Sequence, residues 1–267
     1  MPASTATAVT AQVSGPGRGD RAGGGFRLGN RPPLTGIRAF GVASVLVYHS
    51  NLKTFPGAWQ SLGMFFTLSG FLITAMLLGE GERTNRISLR RFYTRRAFRL
   101  LPPLVLTSVL LAIYAAFHPV AQAGERIWGD IAAALFYFAD YRSALGHEPF
   151  FGYLAQAWSL SVEEQFYVIW ALLMLVAMRT SRRRFAGAMA VIGIMACAAD
   201  RLWIVQSAPH YDHAIFARVY YAFDTRADAL FLGCLLGVVA TAGHLEGWNA
   251  VARRVLSVLA AGAAAFV

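Results

Sequence analysis

The sequence is poor in charged residues. Only 14% of its 267 residues are Asp, Glu, Lys or Arg, whereas soluble domains carry about 25%. Residues 57–79 and 100–117 contain no charged side chain at all. A helix needs about 20 mostly apolar residues to cross a bilayer core. Together with 57% hydrophobic residues, these stretches exclude an ordinary soluble domain and predict a polytopic membrane protein.

Cysteine is scarce as well. Cys197 and Cys234 both lie in apolar runs, without CxxC spacing and without a neighbouring histidine. This pattern excludes a disulfide scaffold and contains no metal-binding motif. We therefore expect no metal site and two buried, unreactive thiols.

Acidic residues are outnumbered, since 14 Asp and Glu stand against 24 Lys and Arg, for a net charge of +10. The arginines are concentrated between the apolar runs, which is the pattern that orients membrane helices. The distribution of the positive charge therefore indicates how the helices are oriented in the membrane, and we expect no binding of nucleic acid.

Residues 1–30 lack any apolar run, which excludes a signal peptide. They are rich in Ala, Gly, Ser and Thr and are predicted to form a flexible tail. Their arginines precede the first apolar run, so the positive-inside rule predicts a cytoplasmic N-terminus in the inner membrane. Residues 31–267 form the predicted membrane domain.

The predicted fold class is an all-α bundle of about six complete transmembrane helices. A short re-entrant or interfacial segment is expected near residues 127–140, because this apolar run is too short to cross. A further run begins at Val255 and ends at Val267, so we expect the last helix and the domain to be truncated. The arginine-rich segment 80–99 is predicted to be a cytoplasmic loop, with Pro102 and Pro103 in the first turn of the next span. The complete spans are predicted at about 36–52, 57–79, 100–117, 185–205 and 219–242, and the helix that contains SVEEQFY is the remaining one, between the third and the fifth of the six.

The stretch SVEEQFY, residues 161–167, places Glu163 and Glu164 inside an apolar helix. Carboxylates within a membrane are costly and usually have a functional partner. Adjacent residues point about 100° apart, so the two cannot face the same group. We therefore expect only one of the two glutamates to face the histidine of the first span, His49, and its neighbour is free to pair with Arg226.

On the predicted topology, six ionisable side chains share the outer half of the membrane. Arg38, in contrast, lies at the cytoplasmic end of the first span, about 16 Å from His49 along the helix axis. Simpler interpretations remain open for each: a snorkelling arginine, a wet interfacial histidine, ion-paired glutamates and helix-capping aspartates. The six are His49, Glu163, Glu164, Asp224, Arg226 and Asp228.

A histidine next to a carboxylate can act as a general base toward a hydroxyl group. The same buried charges could also carry protons or a solute across the membrane. The residues by themselves leave an enzyme and a transporter or flippase open.

Five collinear motifs between about residues 35 and 240 resemble the membrane acyltransferase-3 family, the bacterial polytopic O-acyltransferases. The resemblance implies transfer of an acyl group, most often acetyl, from cytoplasmic acyl-CoA to a hydroxyl. The acceptor would be a cell-surface saccharide or a secondary metabolite such as a macrolide. The motifs are GIRAFGVASVLVYH, FFTLSGFLIT, RRFYTRRAFRLLPP, WSLSVEEQFYVIW and DTRADALFLGCLL.

The resemblance also implies roles for individual residues. Arg38 and His49 match the first-span pair, with His49 as the essential catalytic residue, which acts as a general base or carries the acyl group. Glu164, or else Glu163, would orient His49 or the acceptor. Arg96 and Arg99 match the family's R-x-x-R motif, which is implicated in binding the acyl donor. Arg91 and Arg95 are expected to help them hold the CoA phosphates. The residues expected on the acceptor side are Ser161, Asp224, Arg226 and Asp228.

The chain departs from the family pattern in three places. Ser61-Leu62-Gly63 replace Gly-Val-Asp, Gln156-Ala157 replace His-Thr, and Ala171 replaces proline. These changes, together with the expected truncation, keep an inactive remnant open as an alternative. The expected partners are membrane lipids, acyl-CoA and the hydroxyl-bearing acceptor, and the sequence leaves the oligomeric state open.

Overall fold

The computed structural model describes residues 32–49, 61–117, 121–146 and 153–242, and every regular element within these ranges is a helix. The predicted all-α class is therefore confirmed. The predicted tail, residues 1–30, and the run from Val255 lie outside the described residues. The helices are α1 Pro32–His49, α2 Ser61–Thr84, α3 Leu89–Phe117, α4 Ala121–Leu135, α5 Ala139–Leu145, α6 Ala157–Ala177, α7 Arg182–Ser207, α8 His213–Tyr221, α9 Phe223–Arg226 and α10 Asp228–Thr241.

Four of the described helices are long and apolar enough to cross a membrane, namely Leu62–Thr84, Leu89–Phe117, Ala157–Ala177 and Arg182–Ser207. Large apolar side chains on α3 and α7, such as Leu106 and Leu202, are exposed, which suits a surface covered by lipid tails. The multi-pass character is thus confirmed, while the total of about six spans stays a prediction.

The third predicted span begins earlier than expected. Helix α3 starts at Leu89 rather than at Leu100 and includes most of the arginine-rich segment. Pro102 and Pro103 therefore lie inside the helix, and their predicted place in its first turn is wrong. Arginine and leucine favour helix, so the predicted loop continues the span, and membrane helices tolerate internal proline where neighbouring groups compensate for the lost amides.

The sixth predicted span is wrong as a single helix, because it is divided into α8, α9 and α10. The break is at Ala222, whose backbone is extended at φ −72° and ψ 144°. The hydroxyl of Thr225 lies within hydrogen-bonding distance of the carbonyls of Arg218, Val219 and Ala222. This buried threonine supplies a donor where the helical ladder is interrupted.

The segment near 127–140 forms two short helices, α4 with 15 residues and α5 with 7. The turn between them includes Tyr137, which has a positive φ of 55°. Both helices are shorter than the ~20 residues that a crossing requires. The segment packs against α3 and α6, and its re-entrant or interfacial placement stays a prediction.

The main core lies between α2, α6, α7 and α10 and is built around aromatic rings. Phe166 stacks on Trp170 at 5.7 Å, and Phe231 of α10 meets both rings edge-on. A smaller core joins α3, α4, α5 and the beginning of α6 around Leu104 and Ile131. Helix α6 belongs to both cores and therefore connects the two parts of the described fold.

Helices α2 and α10 approach each other closely because glycines line their contact. A Cβ on Gly233 would overlap the carbonyl oxygen of Thr67, and a Cβ on Gly70 would overlap that of Leu230. Small residues of this kind let membrane helices pack through their backbones.

We expect Gly233→Ala to lower the free energy of unfolding by about 3 kcal/mol, because the added methyl meets backbone that cannot move aside. Thermal denaturation of the detergent-solubilised protein measures the change. Gly63→Ala is the matched control, since a Cβ at Gly63 meets nothing within 4 Å. Equal melting temperatures for the two variants would contradict the close α2–α10 contact.

Candidate active site

The polar residues of SVEEQFY point from α6 toward three different neighbours, as the helical angle requires. Ser161 is fully buried, accepts a hydrogen bond from the backbone amide of Ala139 at 3.1 Å and donates to the carbonyl of Ala157. Gln165 donates to the carbonyl of Tyr137 at 2.7 Å. These two side chains fasten the α4–α5 turn to α6, and the predicted acceptor-side role of Ser161 stays a prediction.

Glu164 points toward α3 and forms an ion pair with Arg96. The Nη2 and Nε atoms of Arg96 lie 2.5 and 3.0 Å from the same carboxylate oxygen. Both side chains are largely shielded, with exposed fractions of 21% for Arg96 and 14% for Glu164. A shielded pair of this kind is costly to break, because the remaining charge has no replacement partner.

Glu163 points toward α2 and is held by hydroxyl groups. Ser69 donates to one carboxylate oxygen at 2.9 Å, and Tyr167 donates to the other at 3.3 Å. Within the described residues, Glu163 forms no ion pair. The two hydroxyl groups therefore orient its carboxyl group.

A cleft of about 280 Å³ opens between α2, α3 and α6. Glu163 and Tyr167 form its α6 side, and apolar side chains of α2 form another side. Arg95 and Arg99 also line it, and neither has an ion-pair partner in the part of the chain that the structure describes. The lining residues are Ser69, Leu72, Ile73, Met76, Phe92, Arg95, Arg96, Arg99, Leu100, Glu163 and Tyr167.

Two predicted relations within this site are wrong. Arg96 was expected on the cytoplasmic side and Glu164 in the outer half, but their ion pair places them at one depth. Glu163 does not pair with Arg226, whose guanidinium lies over the Tyr220 ring at 4.9 Å. The physical reason is that the arginine-rich segment is helical, so α3 carries Arg96 alongside α6.

Arg38 and His49 both belong to α1, and His49 is its last residue. Helix α1 packs against α2, where Gly41 meets the Phe65 ring. The side chains of Arg38 and His49 lie outside the described part of the structure, so their predicted roles stay predictions. Arg91 is exposed near the beginning of α3 and does not line the cleft.

The two aspartates among the predicted acceptor residues form ion pairs with arginines that the sequence interpretation did not single out. Asp228 pairs with Arg201 of α7 at 2.5 Å. Asp224 binds Arg218 through two hydrogen bonds of 2.6 and 2.7 Å. The sequence predicts that these aspartates, four residues apart, share one face of a single helix, and this is wrong because they belong to two helices, α9 and α10. These contacts support a structural role for both carboxylates.

The sequence interpretation also missed Ser69, Tyr167 and Gln165. Each lies within a motif that it quoted, FFTLSGFLIT or SVEEQFY, and each is a polar side chain in an apolar helix. A polar side chain in an apolar helix indicates a contact with another polar group, because buried polar groups need hydrogen-bond partners. The predicted burial of both thiols, Cys197 and Cys234, is confirmed.

Asp140 of α5 is a fully buried carboxyl group beside this site. It accepts a hydrogen bond from Gln165 at 2.9 Å, and its second oxygen, Oδ2, has no hydrogen-bond partner among the described residues. Burial raises the pKa of Asp140 to about 6, because the charged form loses its hydration.

Comparison with known proteins identifies a family and several relatives that are similar to this chain. A family model described as an acyltransferase domain matches residues 34–267. The peptidoglycan O-acetyltransferase OatA of Listeria monocytogenes is 34% identical over 215 residues, which are 78% of this chain and 34% of that protein. No solved structure matches the chain.

Two further relatives have a similar identity to the chain and match a similar share of it. The putative peptidoglycan O-acetyltransferase YrhL of Bacillus subtilis is 35% identical over 216 residues, 78% of this chain and 33% of the relative. The O-acetyltransferase OatA of Staphylococcus aureus is 33% identical over 219 residues, 78% of this chain and 34% of the relative. The chain spans about a third of the length of these curated relatives.

The raised pKa of Asp140 predicts a pH-dependent stability. Its ordinary value is 3.8, so between about pH 4 and 6 the folded protein holds a proton that the unfolded chain releases. The free energy of unfolding should therefore fall by about 3 kcal/mol as pH rises through this window, and then level off. Melting temperatures between pH 4 and 7.5 measure the slope, which Asp140→Asn should remove. An unchanged slope in that variant would show that another group titrates.

Proposed function

Since the chain belongs to the membrane acyltransferase-3 family, we propose that it is an integral membrane O-acyltransferase. It transfers an acyl group, in the first instance acetyl, from acyl-CoA to a hydroxyl group of a saccharide. One observation carries the proposal. The cleft brings together Glu163, a carboxylate without a cationic partner, and Arg95 and Arg99, cations without a carboxylate partner, among the described residues.

The arginines suit the acyl-CoA donor. Guanidinium groups bind phosphate through paired hydrogen bonds, and Arg95 and Arg99 lie four residues apart on one face of α3. Leu72, Ile73 and Met76 form an apolar side of the same cleft. Such a surface favours the uncharged pantetheine arm and acyl group over water. Arg96 is already engaged by Glu164 and holds the cleft wall in place.

The transfer needs a base and a group that orients it. His49 takes the proton of the acceptor hydroxyl, the oxygen forms a bond to the thioester carbonyl carbon, and the carbon–sulfur bond breaks. The proton then passes from His49 to the departing thiolate, so CoA leaves as a thiol. Glu163 is the better candidate to orient His49, because the carboxylate of Glu164 is committed to Arg96.

The printed names of the relatives support a saccharide acceptor, since they include peptidoglycan O-acetyltransferases. We assign the protein to the inner membrane with a cytoplasmic N-terminus, on the distribution of its arginines. The acyl-CoA would then be bound from the cytoplasm and the acceptor modified on the other face.

We expect His49→Ala to abolish transfer of labelled acetyl from acetyl-CoA to a glycan acceptor in membranes, because the hydroxyl loses its base. Loss by a factor of about 100 or more is the expected scale for general-base removal. His210→Ala is the matched control, because His210 is exposed in the connection between α7 and α8. Full activity of His49→Ala would overturn its assignment as the base, and solute flux without any acylated product would favour a transporter.

Donor binding provides a separate test. We expect acetyl-CoA to raise the melting temperature of the purified protein, and the rise to disappear in Arg95→Gln/Arg99→Gln, because the phosphates lose their partners. Arg86→Gln/Arg179→Gln removes the same charge from two exposed arginines that do not line the cleft, and should keep the response. An equal loss in both double variants would indicate general charge attraction.

A further inference from the structure

We propose that Tyr167 is a positioning residue that holds the anionic and the cationic side of the cleft with two different parts of one side chain. Its hydroxyl group orients Glu163, and its ring supports Arg96. The inference rests on the proposed acyltransferase function, and it concerns a residue to which the family resemblance assigned no role.

The guanidinium of Arg96 lies over the ring of Tyr167. The Cζ atom of Arg96 lies over the ring, 3.5 Å from its centroid, which is within the range of a cation–π contact. Arg96 is thus held from one side by the Glu164 carboxylate and from another by an aromatic face. Both contacts restrict the guanidinium at the edge of the cleft, where the neighbouring Arg95 and Arg99 are directed to the donor.

The hydroxyl group of Tyr167 acts on the opposite charge. It donates to one oxygen of Glu163 at 3.3 Å, while Ser69 of α2 donates to the other oxygen at 2.9 Å. Each oxygen therefore has one neutral donor. Neutral donors orient a carboxylate and leave its charge in place, whereas a salt bridge would largely cancel it.

The surroundings of Tyr167 keep the ring from changing its orientation. The residue is 2% exposed, and its ring packs edge-on against Phe92 of α3 and Phe166 of α6. The backbone carbonyl of Tyr167 also accepts a hydrogen bond from Tyr93 at 3.4 Å. A ring held by these contacts gives Arg96 and Glu163 a defined separation, which catalytic groups require.

The two contacts can be separated by substitution. Tyr167→Phe keeps the ring beneath Arg96 and removes the hydroxyl group that binds Glu163. Tyr167→Leu removes both contacts. Ser69→Ala removes the other donor to Glu163 and leaves the ring untouched, and Tyr211→Phe is a matched control at an exposed tyrosine.

We expect Tyr167→Phe and Ser69→Ala each to lower kcat about 10- to 100-fold, which is the usual effect of one hydrogen bond to a charged group. The KM for acetyl-CoA should stay within about twofold, because Arg96 keeps its support. The double variant Tyr167→Phe/Ser69→Ala should lose less than the product of the two effects, since both hydroxyls act on one carboxylate. Tyr167→Leu should also raise the KM and abolish the acetyl-CoA-dependent rise in melting temperature.

Several results would overturn the inference. Wild-type kcat in Tyr167→Phe would remove the role of the hydroxyl group, and an equal rise of KM in Tyr167→Phe and Tyr167→Leu would remove the separation of the two roles. If Tyr167→Phe does not accumulate in membranes, Ser69→Ala carries the same expectation for kcat. If the wild-type protein transfers no acetyl group from acetyl-CoA, the proposed function has failed instead. In that case, loss of acetyl-CoA binding in Tyr167→Leu but not in Tyr167→Phe still tests the support of Arg96.

Discussion

The ion pair between Arg96 and Glu164 is the interaction on which the arrangement of the site depends. It joins α3 to α6 and brings the arginine-rich part of the chain to the level of the buried carboxylates. An unpaired charge in a low-dielectric interior is expensive, and pairing offsets that cost only when the geometry is well defined. Glu164 and the Tyr167 ring both hold Arg96, and Arg95 and Arg99 of the same helix line one cleft with Glu163.

Helix α6 distributes its polar side chains so that each has its own neighbour. Ser161 and Gln165 fasten the α4–α5 turn, Glu163 meets α2, and Glu164 meets α3. This distribution explains why two adjacent glutamates are present in an apolar helix. Glu164 is paired with a cation, and Glu163 is oriented by two hydroxyl groups at the cleft.

The charged residues at the α7–α10 end differ from those of the cleft. Asp224 and Asp228 each have an arginine partner there, and the break before α9 is satisfied by Thr225. Ion pairs of this kind hold short helices together, whereas Glu163, Arg95 and Arg99 of the cleft form no ion pair within the described ranges. Family membership and the cleft thus support the same class of reaction, acyl transfer, and the chain represents about a third of the length of its curated relatives.

The sequence alone determined the membrane class, the all-α fold and the family, because apolar run length and collinear motifs are local properties of the chain. It also marked Glu163, Glu164 and the α3 arginines, because charges in apolar surroundings stand out. The sequence alone could not show which charged side chains form ion pairs with each other. Arg96 and Glu164 are far apart in sequence, and the length of α3, the break at Ala222 and the contact of Ser69 with Glu163 depend on how helices meet. Only the tertiary structure decided which glutamate is neutralised, because that depends on which helix faces each side of α6.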